Sequence, residues 1–187
     1  VYCGLGRSGQ KHCYFWDNFS PDFVCNGKML AAGYAPIGAM MTSSEIESKI
    51  VNEFGRILLA GTYESHPPGI AAAHAVQKIC LDEKHLSHVR DLGNFIQSTL
   101  KNELHDHPFY KNVRGRGLLI SLEHKCNNQN KFNEKLTEIM LSKYNIIMSI
   151  KFHRTNFTPP SIATKKELEN LLNQYIFEFK KLSKHFN

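Results

Sequence analysis

The chain has 187 residues, 42% hydrophobic and 21% charged, the make-up of a globular protein with apolar material for one core and a smaller satellite. No apolar run approaches the roughly 20 residues that span a bilayer, and the formal charge of +6 is scattered, with Lys165-Lys166 and Lys180-Lys181 the tightest groups. Such pairs suit solvated helix faces, so neither a nucleic-acid nor a membrane partner is expected.

Five cysteines without a CxxC pair and ten histidines without HExxH spacing argue against a zinc site or a disulfide framework. A reducing, cytoplasmic setting is the expectation, with no bound metal. Val1-Tyr2-Cys3 in place of a starting Met reads as the continuation of a longer chain, so the lack of a leader here says little and a mitochondrial setting stays open beside the cytoplasmic one.

In chain order, Cys3 to Gly9 carries three glycines and must be a loop. Its GxGxxG spacing is followed by Gln10-Lys11-His12-Cys13-Tyr14-Phe15-Trp16, which opens no apolar-periodic helix, so a dinucleotide-binding turn is rejected. Phe23-Val24-Cys25, between Pro21-Asp22 and Asn26-Gly27, reads as a short buried strand. Lys28 then lies just past the carboxyl end of that strand, where an open α/β sheet places its ligand crevice. Partial desolvation there disfavours an ammonium and leaves an amine able to form a Schiff base. By local spacing alone, however, the same lysine reads as an ordinary surface residue.

Ser44 and Glu47 predict a capping box and a helix to about Phe54. Gly61 to Pro68 is a polar, proline-broken loop leading into an alanine-rich helix from Gly69. Leu86, Val89, Leu92, Ile96 and Leu100 keep helical spacing for a second long helix. The composition shifts near residues 104–112, and the chain is divided there into residues 1–107 and 108–187. Strands are expected within Val113–Glu123, a polar loop over Cys126–Lys131, a helix over Phe132–Tyr144 and a strand at Ile146–Ile150. Thr164 and Glu167 make a second capping box. Behind it Leu168, Leu171, Leu172, Tyr175, Ile176, Phe179 and Leu182 form one apolar stripe, read as core packing. The second part would be a small two-layer α+β domain.

The order GLGRSG, PDFVCNGK, GYAPIGA, GTYESHP, RGRGL and a late TPP resembles class III aminotransferases, near the branch of ω-amino acid–pyruvate transaminases. The resemblance implies an α/β protein of the fold-type I pyridoxal-phosphate class. Residues 1–107 would be the carboxyl-terminal part of its large domain and 108–187 its small domain. It implies that Lys28 binds pyridoxal 5'-phosphate as a Schiff base and carries the proton during transfer. It further implies that Thr62 binds the cofactor phosphate from a neighbouring subunit, and hence a homodimer with shared active sites. The implied reaction moves an amino group from an amine or amino acid to a 2-oxo acid such as pyruvate.

Three departures accompany it. The family's aspartate beside the pyridine nitrogen, and the aromatic stacked on the ring, would precede Val1, so the isolated stretch is expected to be inactive. Asn156 stands where many members carry the arginine for the substrate α-carboxylate. Arg154, two residues away, would face the same side of a strand and is either its substitute or a surface residue. Glu64 stands where relatives have a small residue, and nothing in the sequence accounts for it. The alternatives are another enzyme of the same fold (a decarboxylase, aminomutase or lyase) and an inactive remnant serving as an interaction module.

Overall fold

A computed structural model describes residues 1–57 and 61–186. They form two compact units, Val1–Ser87 and His88–Asn187, each taken in turn.

The second unit is built on period. Strand β4 (Leu119–His124) alternates half-buried and buried residues, putting Ile120, Leu122 and His124 inward. It pairs antiparallel with β3 (Tyr110–Arg116) and with β6 (Arg154–Phe157), and β6 pairs with β5 (Ser149–Lys151), giving the order β3-β4-β6-β5. Helices α4 (Gln129–Tyr144) and α5 (Lys165–Ser183) pack on each other. The long helix α3 (Glu83–Leu104) contributes Val89, Leu92, Ile96, Leu100 and Leu104 to the same core. Helix α5 starts at the expected capping box: the Thr164 hydroxyl accepts from the Glu167 N–H (3.2 Å) and Glu167 Oε2 accepts from the Thr164 N–H (2.7 Å). Every residue of its apolar stripe is buried except Leu171, which is half-buried.

Several polar groups are buried in that core, and Glu178 and His124 show how they are satisfied. Glu178 accepts from Lys143 Nζ and from the Tyr144 hydroxyl, each at 2.7 Å, which ties α4 to α5. Burial pushes its carboxyl upward, but those two donors and the Lys143 and Lys181 charges prevail and hold it below the usual carboxylate range. His124 takes a core register position with no exposed surface. Its Nδ1 accepts from Gln129 Nε2 (3.0 Å), so its Nε2 carries the proton and donates to Thr155 Oγ1 (3.1 Å), which meets the Tyr175 hydroxyl at 2.8 Å. Burial, aided by the nearby His153, pushes its pKa down to about 4.

In the first unit β1 (Phe23–Asn26) pairs antiparallel with β2 (Ala39–Thr42) in a two-stranded ribbon. Helices α1 (Ser44–Phe54) and α2 (Pro67–Cys80) follow. The glycine-rich stretch is a closed loop, with the Leu5 N–H donating to the Lys11 carbonyl (2.8 Å) and the Gly6 N–H to the Gln10 carbonyl (3.2 Å). Gly6 is left-handed (φ +89°) and lies against the end of α2, where a Cβ would sit 2.7 Å from the Cys80 carbonyl.

Several expectations are corrected. Phe23-Val24-Cys25 forms a strand, but only Val24 is half-buried and the flanking two are exposed, because its one partner is a four-residue strand. Strand β2 carries no alternating pattern and was not expected. The cap of α1 is Ser43, whose hydroxyl accepts from the Ile46 N–H (3.3 Å), one residue before the expected Ser44. Helix α4 begins at Gln129, inside the stretch expected as loop, because Gln129 turns inward to the His124 network. Ile146 to Met148 lie outside β5, which starts at Ser149.

Two outcomes follow for the second unit. Between pH 6.5 and about 4 the unfolded chain protonates His124 and the native state does not, so stability falls as pH falls through that window, by on the order of 3 kcal/mol in all. Urea unfolding as a function of pH measures it, and His124→Gln should flatten the dependence. A Cβ on Gly93 would fall on the Gly117 carbonyl, so Gly93→Ala should cost about 1–3 kcal/mol; unchanged stability would refute that close approach.

Candidate active site

Lys28 opens a 3-10 turn, Lys28–Leu30, behind an extended Gly27. Its φ of 47° is left-handed, an uncommon conformation for a residue with a Cβ, and Ala32, just past the turn, repeats it at 48°. What holds the turn comes from α2: Gln77 Nε2 donates to the carbonyls of both Met29 and Leu30 at 2.8 Å. Ala31, directly after the turn, is buried, and its N–H donates to the Lys28 carbonyl. Asn26, two residues before Lys28, is buried and donates to Met41 Sδ (3.0 Å), which fastens the end of β1 to β2. The backbone around Lys28 is therefore fixed on both sides.

The Lys28 side chain itself is exposed, and its amine has no hydrogen-bond or ion-pair partner among the described residues. The partial burial expected of this side chain is not seen among the described residues.

Thr62 lies in the turn before α2, exposed and with no hydrogen-bond partner among the described residues. The neighbouring loop is ordered by its own chemistry: the Glu64 N–H donates to the Gly61 carbonyl (3.0 Å), and Ser65 is left-handed at φ 55°. His66 caps α2, its Nδ1 accepting from the Gly69 N–H (3.3 Å), while Pro67 and Pro68 occupy the first turn. No hydrogen bond joins Lys28 to Thr62. What links their neighbourhoods is α2, which starts beside Thr62 and reaches the Lys28 turn through Gln77.

Sequence reasoning passed over Gln77, whose only local signal is a place on an alanine-rich helix. Its Oε1 and the Ser8 hydroxyl are buried without a partner among the described residues. Among the described residues there is no group of three or more His, Cys, Asp or Glu side chains arranged to hold a metal ion. No helix among them is long and apolar enough to cross a membrane.

In the second unit Asn156 is half-buried on the outer face of β6, accepting from the Ser121 hydroxyl (2.7 Å). It lines a cavity of about 360 Å³ with Ile147, Met148, Leu168 and Leu171, and no lining residue is a cation. Arg154 shares the outward face of β6, since Thr155 and Phe157 point inward, yet it lines a different hollow. Glu64 points its side chain at Gly61, 3.5 Å from where a Cβ there would lie.

The arrangement defines a class: a mixed α/β protein that presents an unpartnered lysine amine on a fixed, strained turn. The model of the family described as Aminotransferase class-III matches residues 1–176, and the chain belongs to that family. It is 34% identical over 131 residues to an aminotransferase of Gibberella zeae, covering 70% of this chain and 26% of that protein. It is 32% identical over 177 residues to ornithine aminotransferase 2 of Staphylococcus saprophyticus, covering 93% of this chain and 41% of that one. The solved ornithine delta-aminotransferase of Plasmodium falciparum superposes with a TM-score of 0.81 at 28% identity, over 97% of this chain and 45% of that one. The chain thus spans less than half the length of these relatives, and the fold is that of the fold-type I transaminases.

Removing the Gln77 clamp tests how the turn is held. Gln77→Ala leaves two carbonyls without their donor, and amide exchange over residues 28–34 should speed up at least about tenfold. Unchanged exchange would mean that the ribbon alone fixes the turn.

Proposed function

We propose that the protein carrying this chain is a pyridoxal-phosphate-dependent transaminase that moves an amino group from an amine or amino acid to a 2-oxo acid such as pyruvate. The observation that carries the reading is Lys28: an unpaired amine on a left-handed turn clamped from α2, in a chain matched to class III aminotransferases along most of its length. When bound, the cofactor supplies the electron sink for the carbon that loses its proton.

The residues present suit that group. Lys28 Nζ has no competing partner, so it is available to hold the cofactor aldehyde covalently. With the cofactor and substrate bound, the same Nζ would serve as the base that takes and returns the proton of the reacting carbon. Thr62, exposed and unpartnered, would donate its hydroxyl to the cofactor phosphate of a neighbouring subunit, which makes the assembly a homodimer. Exposed Phe23, Tyr34, Met40, Met41, Phe54 and Tyr63 in the first unit are apolar surface that a neighbouring subunit or the rest of a longer chain would cover. The domain division proposed is 1–107, the end of the large cofactor domain, and 108–187, the small domain.

Asn156 stands where, by the resemblance, many members carry the arginine for the α-carboxylate. Its amide offers no fork of positive charge, which supports donors that present no α-carboxylate there. Borohydride reduction with cofactor, followed by peptide mass spectrometry, should place the pyridoxyl group on Lys28. Lys28→Ala should lower turnover by about a hundredfold or more. An adduct on another lysine, or full activity in Lys28→Ala, sinks the reading.

A further inference from the structure

One end of the four-stranded sheet gathers positive charge from three of its strands. Lys111 is the residue set aside by a bulge in β3, between Tyr110, which pairs with His124, and Asn112, which pairs with Glu123. Lys125 prolongs β4, its N–H donating to the Phe109 carbonyl (2.9 Å). The His124 N–H donates to the His153 carbonyl (2.8 Å), which draws the β5–β6 turn alongside. The side chains of Lys111, Lys125, His153 and Arg154 therefore line one open hollow of about 470 Å³, together with Glu123 and Phe152.

The charge there is not balanced from within. Glu123 is the one carboxylate on the lining, and it is ion-paired with Arg114 outside the hollow. Lys111, Lys125 and Arg154 have no ion-pair or side-chain hydrogen-bond partner among the described residues. Arg154 lies opposite Lys151 in the β5–β6 register and opposite Glu123 in the β4–β6 register. Glu123 is taken up by Arg114, so the neighbouring like charge of Lys151 is not offset by an ion pair to Arg154. At the tip of that hairpin Phe152 is left-handed (φ 53°) and 75% exposed, so an apolar ring stands beside the unpaired cations.

We infer that this hollow binds a phosphate-bearing small molecule, with the phosphate among Lys111, Lys125 and Arg154 and a planar ring of the ligand against Phe152. A guanidinium fork with two ammonium groups on one lining matches the charge of a phosphate monoester. A ring beside those cations gives a planar group a face to stack on. A nucleic-acid strand would need a track of such charges, and here they are confined to one hollow. All the lining residues lie in the second unit, so the inference stands apart from the Lys28 reading.

Titration of the full chain with inorganic phosphate and with adenosine monophosphate, at constant ionic strength and followed by amide NMR, tests it. Saturable shifts at Lys125 and Arg154 are expected, with the nucleotide binding severalfold tighter than phosphate. The paired change Lys125→Ala with Arg154→Ala should weaken both by about tenfold or more at an unchanged thermal midpoint, and Lys125→Arg should retain binding. Phe152→Ala should remove only the advantage of the nucleotide. Shifts that follow ionic strength alone, or that survive the paired change, overturn the inference. So does a single-stranded oligonucleotide that binds tighter than the mononucleotide through residues beyond the hollow.

Discussion

The two hydrogen bonds from the Gln77 amide to the Met29 and Leu30 carbonyls are the constraint on which the Lys28 turn depends. Few hydrophobic residues of the first unit are buried to hold it otherwise: among the described residues they are Leu5, Ala31, Ala73, Cys80 and Leu86, and α1 buries none. A polar clamp from α2 does what a core would do elsewhere. The glycine loop depends on the same helix, since Gly6 fits only because no Cβ meets the Cys80 carbonyl. Lys28, the glycine loop and the Thr62 turn are therefore all referred to α2, by Gln77, by Cys80 and by the His66 cap. A lysine on a left-handed backbone costs about 1–3 kcal/mol, and such strain persists where surrounding contacts over-determine it.

The second unit works by the opposite rule. Three helices and four strands close one continuous core, and its polar intruders are all hydrogen-bonded. That arrangement makes a rigid platform whose outer features, the cation-free cavity at Asn156 and the cation-lined hollow at Lys125 and Arg154, sit at different places on the sheet. Rigidity has a condition attached. His124 sits inside the core as a neutral ring, so the platform is firmest above the pH at which a free imidazole protonates.

The candidate site was legible in the sequence only as an order of motifs. Lys28 by its neighbours is an ordinary lysine, and Thr62 an ordinary turn residue. Their standing came from the succession GLGRSG, PDFVCNGK, GYAPIGA, GTYESHP and RGRGL, which the family match over residues 1–176 supports. Gln77 left no such trace, because a glutamine on a helix looks the same whether it faces water or two backbone carbonyls. His124 was equally silent, being one polar residue at the end of an apolar alternation.

What the sequence determined by itself was whatever repeats or caps locally. The stripe of α5 with its Thr164–Glu167 box, the spacing of α3, the alternation of β4 and the polar breaks between them follow from the periods of helix and strand. Tertiary structure alone decided which faces find a cover. Phe23-Val24-Cys25 has the composition of a buried strand and stays largely exposed, because burial belongs to the neighbours a strand meets and β2 is its only partner here among the described residues. The same holds at Lys28: sequence placed it just past a strand, whereas the clamp on its left-handed turn comes from a helix some fifty residues away, joined by hydrogen bonds that no local pattern encodes.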